Sequence, residues 1–155
     1  MSEKNVIIIE LGEIKLVGYR VLCPGDEFLI EIPKASINLH NRINEVKQKV
    51  DPSIQWGAFI VDESAPEEDG YWVGVEVGEY EEIPSGMVPL TIPPHRYAVI
   101  RHEGPNHLIR ESYEELHNWV EKSGYICLKE KWHLEKYYSW KDTQNIEVEL
   151  LDTIE

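Results

Sequence analysis

The feature that most constrains this chain is a pattern that occurs twice. A strand-like run, an amphipathic helical stretch and two more strand-like runs fill the first half, and the same order returns in the second. From Val6 the run VIIIELGEIKLVGYRVL is rich in β-branched residues and is interrupted by Gly12 and Gly18, which suits one long strand with a bend or bulge. KASINLHNRINEVKQKVDP carries Leu39, Ile43, Val46 and Val50 at steps of four, three and four, so the spacing predicts a helix that ends before Pro52. IQWGAFIVD and GYWVGVEVGEY then read as two short strands, with ESAPEEDG as their hairpin connection.

The second round begins after the Pro-rich link IPSGMVPLTIPP. HRYAVIRHEG reads as a strand and PNHLIRESYEELHNWVEKSG as a helix, with Pro105 at its start and Gly124 just past its end. Ile109, Tyr113, Leu116 and Val120 repeat the four-three-four spacing. YICLKEKWHLEKYY and NIEVELLDTIE close the unit as two strands. A lone β-α-β-β unit cannot cover both faces of its sheet, so two copies paired about a pseudo-twofold axis are expected. The predicted fold is α+β, an antiparallel sheet with both helices on one side, and a central ligand cleft on the opposite face or at the seam between the halves. No long linker interrupts the chain, so residues 1–155 are expected to form one domain with pseudo-repeats at about 5–80 and 92–152.

Charge and cysteine content narrow the partners. With 29 acidic against 15 basic residues the formal net charge is −14, a field that repels phosphate backbones and attracts cations, so no direct nucleic-acid partner is expected. Cys23 and Cys127 have no C-x-x-C or zinc-finger spacing and read as buried or half-buried free thiols. The six histidines include no H-E-x-x-H arrangement. Although His133 and Glu135 at i, i+2 could share an ion, neither a metal nor a cofactor is expected. The N-terminus has no basic segment followed by an apolar run and cleavage site, and no apolar stretch reaches the length of a membrane span, which points to a soluble, cytoplasmic protein without a membrane partner.

Two strands carry candidate chemistry. Alternation in GYWVGVEVGEY puts Trp72, Gly74, Glu76 and Gly78 on one face and Tyr71, Val73, Val75 and Val77 on the other. The valine face is core, whereas glycines beside Trp72 and Glu76 mark either the close approach of a ligand or backbone or an exposed face with a solvated acid. In KWHLEKYY the same parity puts His133, Glu135 and Tyr137 together, with Trp132, Leu134, Lys136 and Tyr138 facing away. A carboxylate against aromatic walls is desolvated, and a cation restores its charged form while binding the ring faces. The same group can act as a general base toward water, or simply pair with Lys131 or Lys136.

The residues also carry a resemblance. Y-W-V-G-V-E-V at Tyr71 to Val77, I-P-P-H-R-Y-A-V-I-R-H-E-G at Ile92 to Gly104, N-W-V-E-K-S-G-Y at Asn118 to Tyr125 and L-E-K-Y at Leu134 to Tyr137, in this order within duplicated units, resemble the GyrI-like small-molecule-binding family. This is the effector-binding domain of AraC- and MerR-class multidrug-sensing regulators. The resemblance spans about Val6 to Leu151 and implies a cleft for hydrophobic, cationic compounds with a deep glutamate, here Glu135. It further implies ligand-facing roles for Trp72, Tyr97, Trp119 and Tyr137, to which the strand pattern adds Glu76. Three functions follow as expectations: a stand-alone capturer of drug-like cations; a hydrolase opening cyclopropanoid rings, with Glu135 and Tyr137 as its catalytic groups; or a protein-binding module like the gyrase-inhibiting relatives, with a protein partner.

Overall fold

The computed structural model describes residues 5–62 and 65–155. Eight antiparallel strands form one sheet: β1 (Ile7–Leu11), β2 (Ile14–Val21), β3 (Gln55–Ile60), β4 (Tyr71–Val77), β5 (Val88–Ile92), β6 (His95–Gly104), β7 (Trp132–Ser139) and β8 (Ile146–Ile154). Two helices, α1 (Phe28–Asn41) and α2 (Ile109–Lys122), join β2 to β3 and β6 to β7. The strand order β1-β6-β8-β7-β3-β4-β2-β5 places β3 against β7 at the centre and lays the two β-α-β-β units out as mirror-ordered halves. Each half borrows its edge: β1, which leads into β2, pairs with β6, and β5, which leads into β6, pairs with β2.

That exchange explains two departures from the sequence pattern. The N-terminal run is two strands rather than one bent strand, because the chain leaves one half of the sheet near Gly12 and enters the other at Ile14. The Pro-rich link contains β5, where Pro89 is tolerated because an edge strand leaves one side of its backbone unpaired. The first helix also lies earlier than its spacing predicts. It begins at Phe28, carries Pro33 within it and stops at Asn41, after which Ile43–Glu45 forms a short 3-10 turn. Leu39 and Val46 are buried as an apolar face would require, but Val50 is exposed. The connection expected between β3 and β4 includes residues 63–64, which lie outside the described residues, as do residues 1–4 of the N-terminus.

Both helices lie on one face of the sheet. Ala35 and Leu39 of α1 pack with Val17, Val21, Val73 and Val75, and Leu116 and Val120 of α2 pack with Ala98, Ile100, Val148 and Leu150. Two polar contacts pin the helices in place. Gln55 Nε2 of β3 donates to the Ser36 carbonyl of α1 at 2.9 Å, and His102 Nδ1 of β6 lies 2.7 Å from Ser112 Oγ of α2. The other face is equally apolar, with Leu16, Trp56, Trp72, Tyr97, Val99, Leu134 and Leu151 buried. Among the described residues no helix packs on it, so its burial requires the twisted sheet to curl upon itself, and residues from both edges, Ile9 and Leu11 in β1 and Val88 and Leu90 in β5, pack against that cluster.

Close backbone approach within β2 and β4 has a glycine on both sides. Gly18 lies opposite Gly74, and a Cβ built on Gly18 would fall 1.9 Å from the Val73 carbonyl oxygen. Since that neighbour is backbone, it cannot rotate away. Gly18→Ala should therefore cost about 1–3 kcal/mol of folding free energy, read as a lower urea midpoint with an unchanged slope. Wild-type stability in that variant would mean the two strands are further apart than described.

Candidate functional site

The two helices diverge over the central strands β3 and β7, and the gap between them is a cavity of about 580 Å³, within the range of drug-sized pockets. Phe28, Ile32 and Pro33 of α1 form one wall, and Ile109 and Tyr113 of α2 form the other. Phe59, Tyr71, Glu135 and Tyr137 lie on the strands beneath, and Trp140 and Thr143 come from the segment after β7. The cavity thus lies at the seam between the halves, on the helix-bearing face, and not on the opposite face, which is core.

Glu135 is the buried carboxylate of this site, and the exposed Asp69 also lines the cavity. Register explains its position: Glu135 pairs with Gly57 across the β3–β7 seam, so its side chain projects toward the helices from the middle of the sheet. It is 7 % exposed. Three phenol hydroxyls converge on the carboxylate: Tyr71 from β4 and Tyr137 from β7 donate to Oε1, the latter at 3.1 Å, and Tyr113 from α2 donates to Oε2. Burial, and then the adjacent Glu135 charge, pushes all three phenols well above the usual tyrosine range. Hydrogen bonds to a carboxylate are worth about 1.5–3 kcal/mol each, so together they can offset much of the cost of burying this charge. They do not neutralise it. None of the ion pairs among the described residues includes Glu135.

Tyr71 reaches Glu135 only because position 57 has no side chain. A Cβ on Gly57 would fall 1.7 Å from the Tyr71 hydroxyl oxygen and 2.4 Å from Cζ, so the tyrosine crosses diagonally over the bare glycine from β4 to β7. Phe59, next on the same face of β3, stacks on Tyr71 at 6.0 Å on one side and on His133 at 5.8 Å on the other. His133 bridges Asp152 and the Leu128 carbonyl through its two ring nitrogens, each contact being 3.1 Å. Burial alone would lower its pKa, yet its hydrogen bonds with Asp152 and Cys127 and the nearby negative charge bring it up to about 9.

The site residues expected from sequence divide into two groups. Glu135 and Tyr137 line the cavity. Trp72, Glu76, Tyr97 and Trp119 do not. Trp72 points through the sheet into the opposite core, meeting Trp132 edge-on at 5.0 Å, and Tyr97 is fully buried in the same cluster. Glu76 shares the strand parity of Trp72 and so faces away from the helices, half-buried, its pKa raised by desolvation and partly restored by Lys136. Trp119 packs at the outer edge of the α2 core, stacked on Tyr125 at 5.8 Å. Lys136, a possible partner for Glu135, instead lies over the Trp56 ring.

Tyr71, Tyr113 and Trp140, like Phe28 and Phe59, are site residues that the pattern did not mark. Tyr71 lies on the valine face assigned wholly to the core, and Tyr113 belongs to the apolar stripe of α2. Trp140 is reached through a bulge: β7 and β8 slip register between Tyr137 and Ser139, which resets the alternation that strand parity assumes. A serviceable signal for Tyr71 was Gly57, a glycine inside a buried strand, which marks space used by something else.

Residues 4–151 match the GyrI-like small molecule binding domain. Over 113 residues the chain is 34% identical to the transcriptional regulator BrlR of Pseudomonas aeruginosa, covering 72% of this chain and 40% of that protein, so it spans less than half of this relative's length. The C-terminal domain of EcmrR superposes with a TM-score of 0.70 at 18% identity, covering 98% of both chains. SAV2435 bound to tetraphenylphosphonium superposes with a TM-score of 0.70 at 14% identity, covering 97% of this chain and 94% of that one. At these identities the two structures establish the shared fold. Among the described residues, no helix is long and apolar enough to cross a membrane.

The three buried phenols make a direct prediction about alkaline pH. A tyrosine whose folded pKa lies above its unfolded value holds its proton more tightly when folded, so its contribution to stability is fully present below the unfolded value of about 10 and is lost as pH rises from there through the higher folded value. Absorbance titration should show Tyr71, Tyr113 and Tyr137 ionising only together with unfolding, after the exposed tyrosines. Reversible ionisation of all eight tyrosines near their ordinary value in the folded protein would contradict the site as described.

Proposed function

The chain belongs to the GyrI-like small-molecule-binding family, and from that premise we propose that it captures hydrophobic, cationic, drug-like molecules in the cleft between α1 and α2. Glu135 serves as the counter-charge, and Phe28, Phe59, Tyr113, Tyr137 and Trp140 serve as aromatic walls. The observation that carries this reading is the Glu135 carboxylate itself, buried and held by three phenols but in no ion pair among the described residues. At about 5 Å and an effective dielectric of about 20, a ligand cation gains roughly 3 kcal/mol from such a charge. Ring faces add about 0.5–2 kcal/mol per well-placed contact. A neutral ligand of the same shape gains neither. The tetraphenylphosphonium named in the SAV2435 structure is a molecule of this chemistry.

Capture is favoured over Glu135-driven hydrolysis by the same hydrogen bonds. A general base needs a lone pair free to reach a substrate or water, whereas phenol hydroxyls already donate to both carboxylate oxygens and hold the group in place. The regulator-like context follows as a further part of the reading: the bound state would be sensed by a DNA-binding partner or segment, as the similarity to a transcriptional regulator suggests. The net charge of −14 favours accumulation of cations near the surface but does not itself select the cleft.

Tetraphenylphosphonium titrated into the protein should quench part of the tryptophan fluorescence, and Trp140→Phe should remove most of that change, because Trp140 is the tryptophan that lines the cavity. Glu135→Gln should weaken tetraphenylphosphonium binding at least tenfold, about 1.4 kcal/mol, while leaving the affinity for neutral triphenylphosphine oxide within about twofold. Equal losses for both ligands, or none for either, would contradict Glu135 as counter-charge.

A further inference from the structure

Behind the cavity, four elements bring Cys127, His133, Asp152 and His117 to one place. One ligand atom from each of Cys127, His133 and Asp152 lies within 4.8 Å of the others. The backbone builds this cluster. Leu128 N donates to the Thr153 carbonyl at 2.8 Å and Glu155 N to the Ile126 carbonyl at 2.9 Å, so the segment after α2 is laced to the end of β8, and Cys127 is held opposite Ile154. His133 enters from the adjacent strand, β7.

The polar geometry around His133 and Asp152 has the form of a metal-ligand set. His133 Nε2 lies 3.1 Å from the Leu128 carbonyl and is thereby committed as a donor, which leaves Nδ1 as the nitrogen available to an ion. Nδ1 lies 3.1 Å from Asp152 Oδ1, close to the separation of two ligands on one tetrahedral zinc with bonds of about 2.0–2.1 Å. Asp152 Oδ2 lies 2.8 Å from His117 Nε2, a contact without the alignment of a hydrogen bond, so the carboxylate is also braced from behind. His117 is 56% exposed and Cys127 half-buried, so the cluster has a path to solvent even though His133 and Asp152 are buried.

We propose that Cys127 Sγ, His133 Nδ1 and Asp152 Oδ1 form a binding site for a divalent transition-metal ion of zinc type, with His117 positioning the Asp152 carboxylate. Thiolate, imidazole and carboxylate together suit a borderline-soft ion and exclude calcium or magnesium, which take oxygen ligands. Thiolate and carboxylate bring two negative charges, which a divalent ion balances inside the protein. Without the ion, the Nδ1 position holds a proton shared with Asp152; on binding, the ion takes the place of that proton and of the Cys127 thiol proton, both of which leave to solvent. Sequence spacing gave no sign of such a site, because its ligands come from the segment after α2, from β7 and from β8, with His117 on α2 behind them.

The site also abuts the ligand cavity. His117 contacts the Tyr113 ring at 5.7 Å, and His133 stacks on Phe59, so the ion would stiffen two of the groups that frame Glu135. The metal proposal does not depend on what the cavity binds.

The test is to strip the full chain with a chelator, confirm folding by circular dichroism, and titrate Zn²⁺ against a competing chromophoric chelator, with Co²⁺ as a spectroscopic probe. We expect one equivalent of Zn²⁺ and, with Co²⁺, an intense thiolate-to-metal charge-transfer band with tetrahedral ligand-field absorption. Cys127→Ser should abolish the charge-transfer band and weaken Zn²⁺ at least tenfold; His117→Ala, at an exposed position that should not disturb folding, should weaken Zn²⁺ by about tenfold and retain the band. No stoichiometric binding in wild type, or binding without a thiolate band and indifferent to Cys127→Ser, would overturn the proposal and leave the cluster a buried ion pair.

Discussion

The arrangement on which the functional site depends is a single buried carboxylate held across the seam of two half-sheets. Glu135 belongs to the second half, yet one of its hydroxyl donors, Tyr71, comes from the first, and that contact passes over the empty face of Gly57. Tyr113 brings α2 into the same cluster. The pairing of β3 with β7 therefore does more than join two units, because it sets a charge from one half beneath rings from both. Three hydrogen bonds make that charge tolerable, and none of the ion pairs among the described residues includes it.

The exchanged edge strands make such a seam possible. With β1 and β5 each closing the other half, the free edges of the two units are removed from the centre, and β3 and β7 remain as the strands that meet. The helices cover the outer parts of the sheet and leave a gap over that junction, where an apolar floor would otherwise be exposed. On the reverse face the sheet curls over Trp56, Trp72 and Leu134, which gives the cavity floor a packed backing.

Much of this was legible in the sequence. The two β-α-β-β rounds, the helix α2 and the parity that places Glu135 with Tyr137 and Trp132 with the opposite core all follow from periodicity. The first helix was displaced because Pro33 discourages a helical reading of FLIEIPKAS, while the spacing of Ile43, Val46 and Val50 imitates one. The glycine face of β4 left open whether a ligand or another backbone comes close, and at Gly74 the neighbour is β2, where a Cβ would fall 3.2 Å from the Val17 carbonyl oxygen. Tyr71 went unnoticed because alternation identifies which face a side chain takes, but not that a long ring can cross a neighbouring glycine to meet an acid on the next strand. Trp72, Tyr97 and Trp119 are large rings in the core, and from sequence alone a core aromatic and a cavity aromatic look alike.

The most direct measurement of the central claim is a crystal structure with a lipophilic cation bearing an anomalous scatterer, such as tetraphenylarsonium. The account predicts an arsenic peak between α1 and α2, within about 6 Å of an aromatic ring centroid and facing the Glu135 carboxylate. A peak on the reverse face of the sheet beside Trp72 and Glu76, or none at saturating ligand, would contradict it.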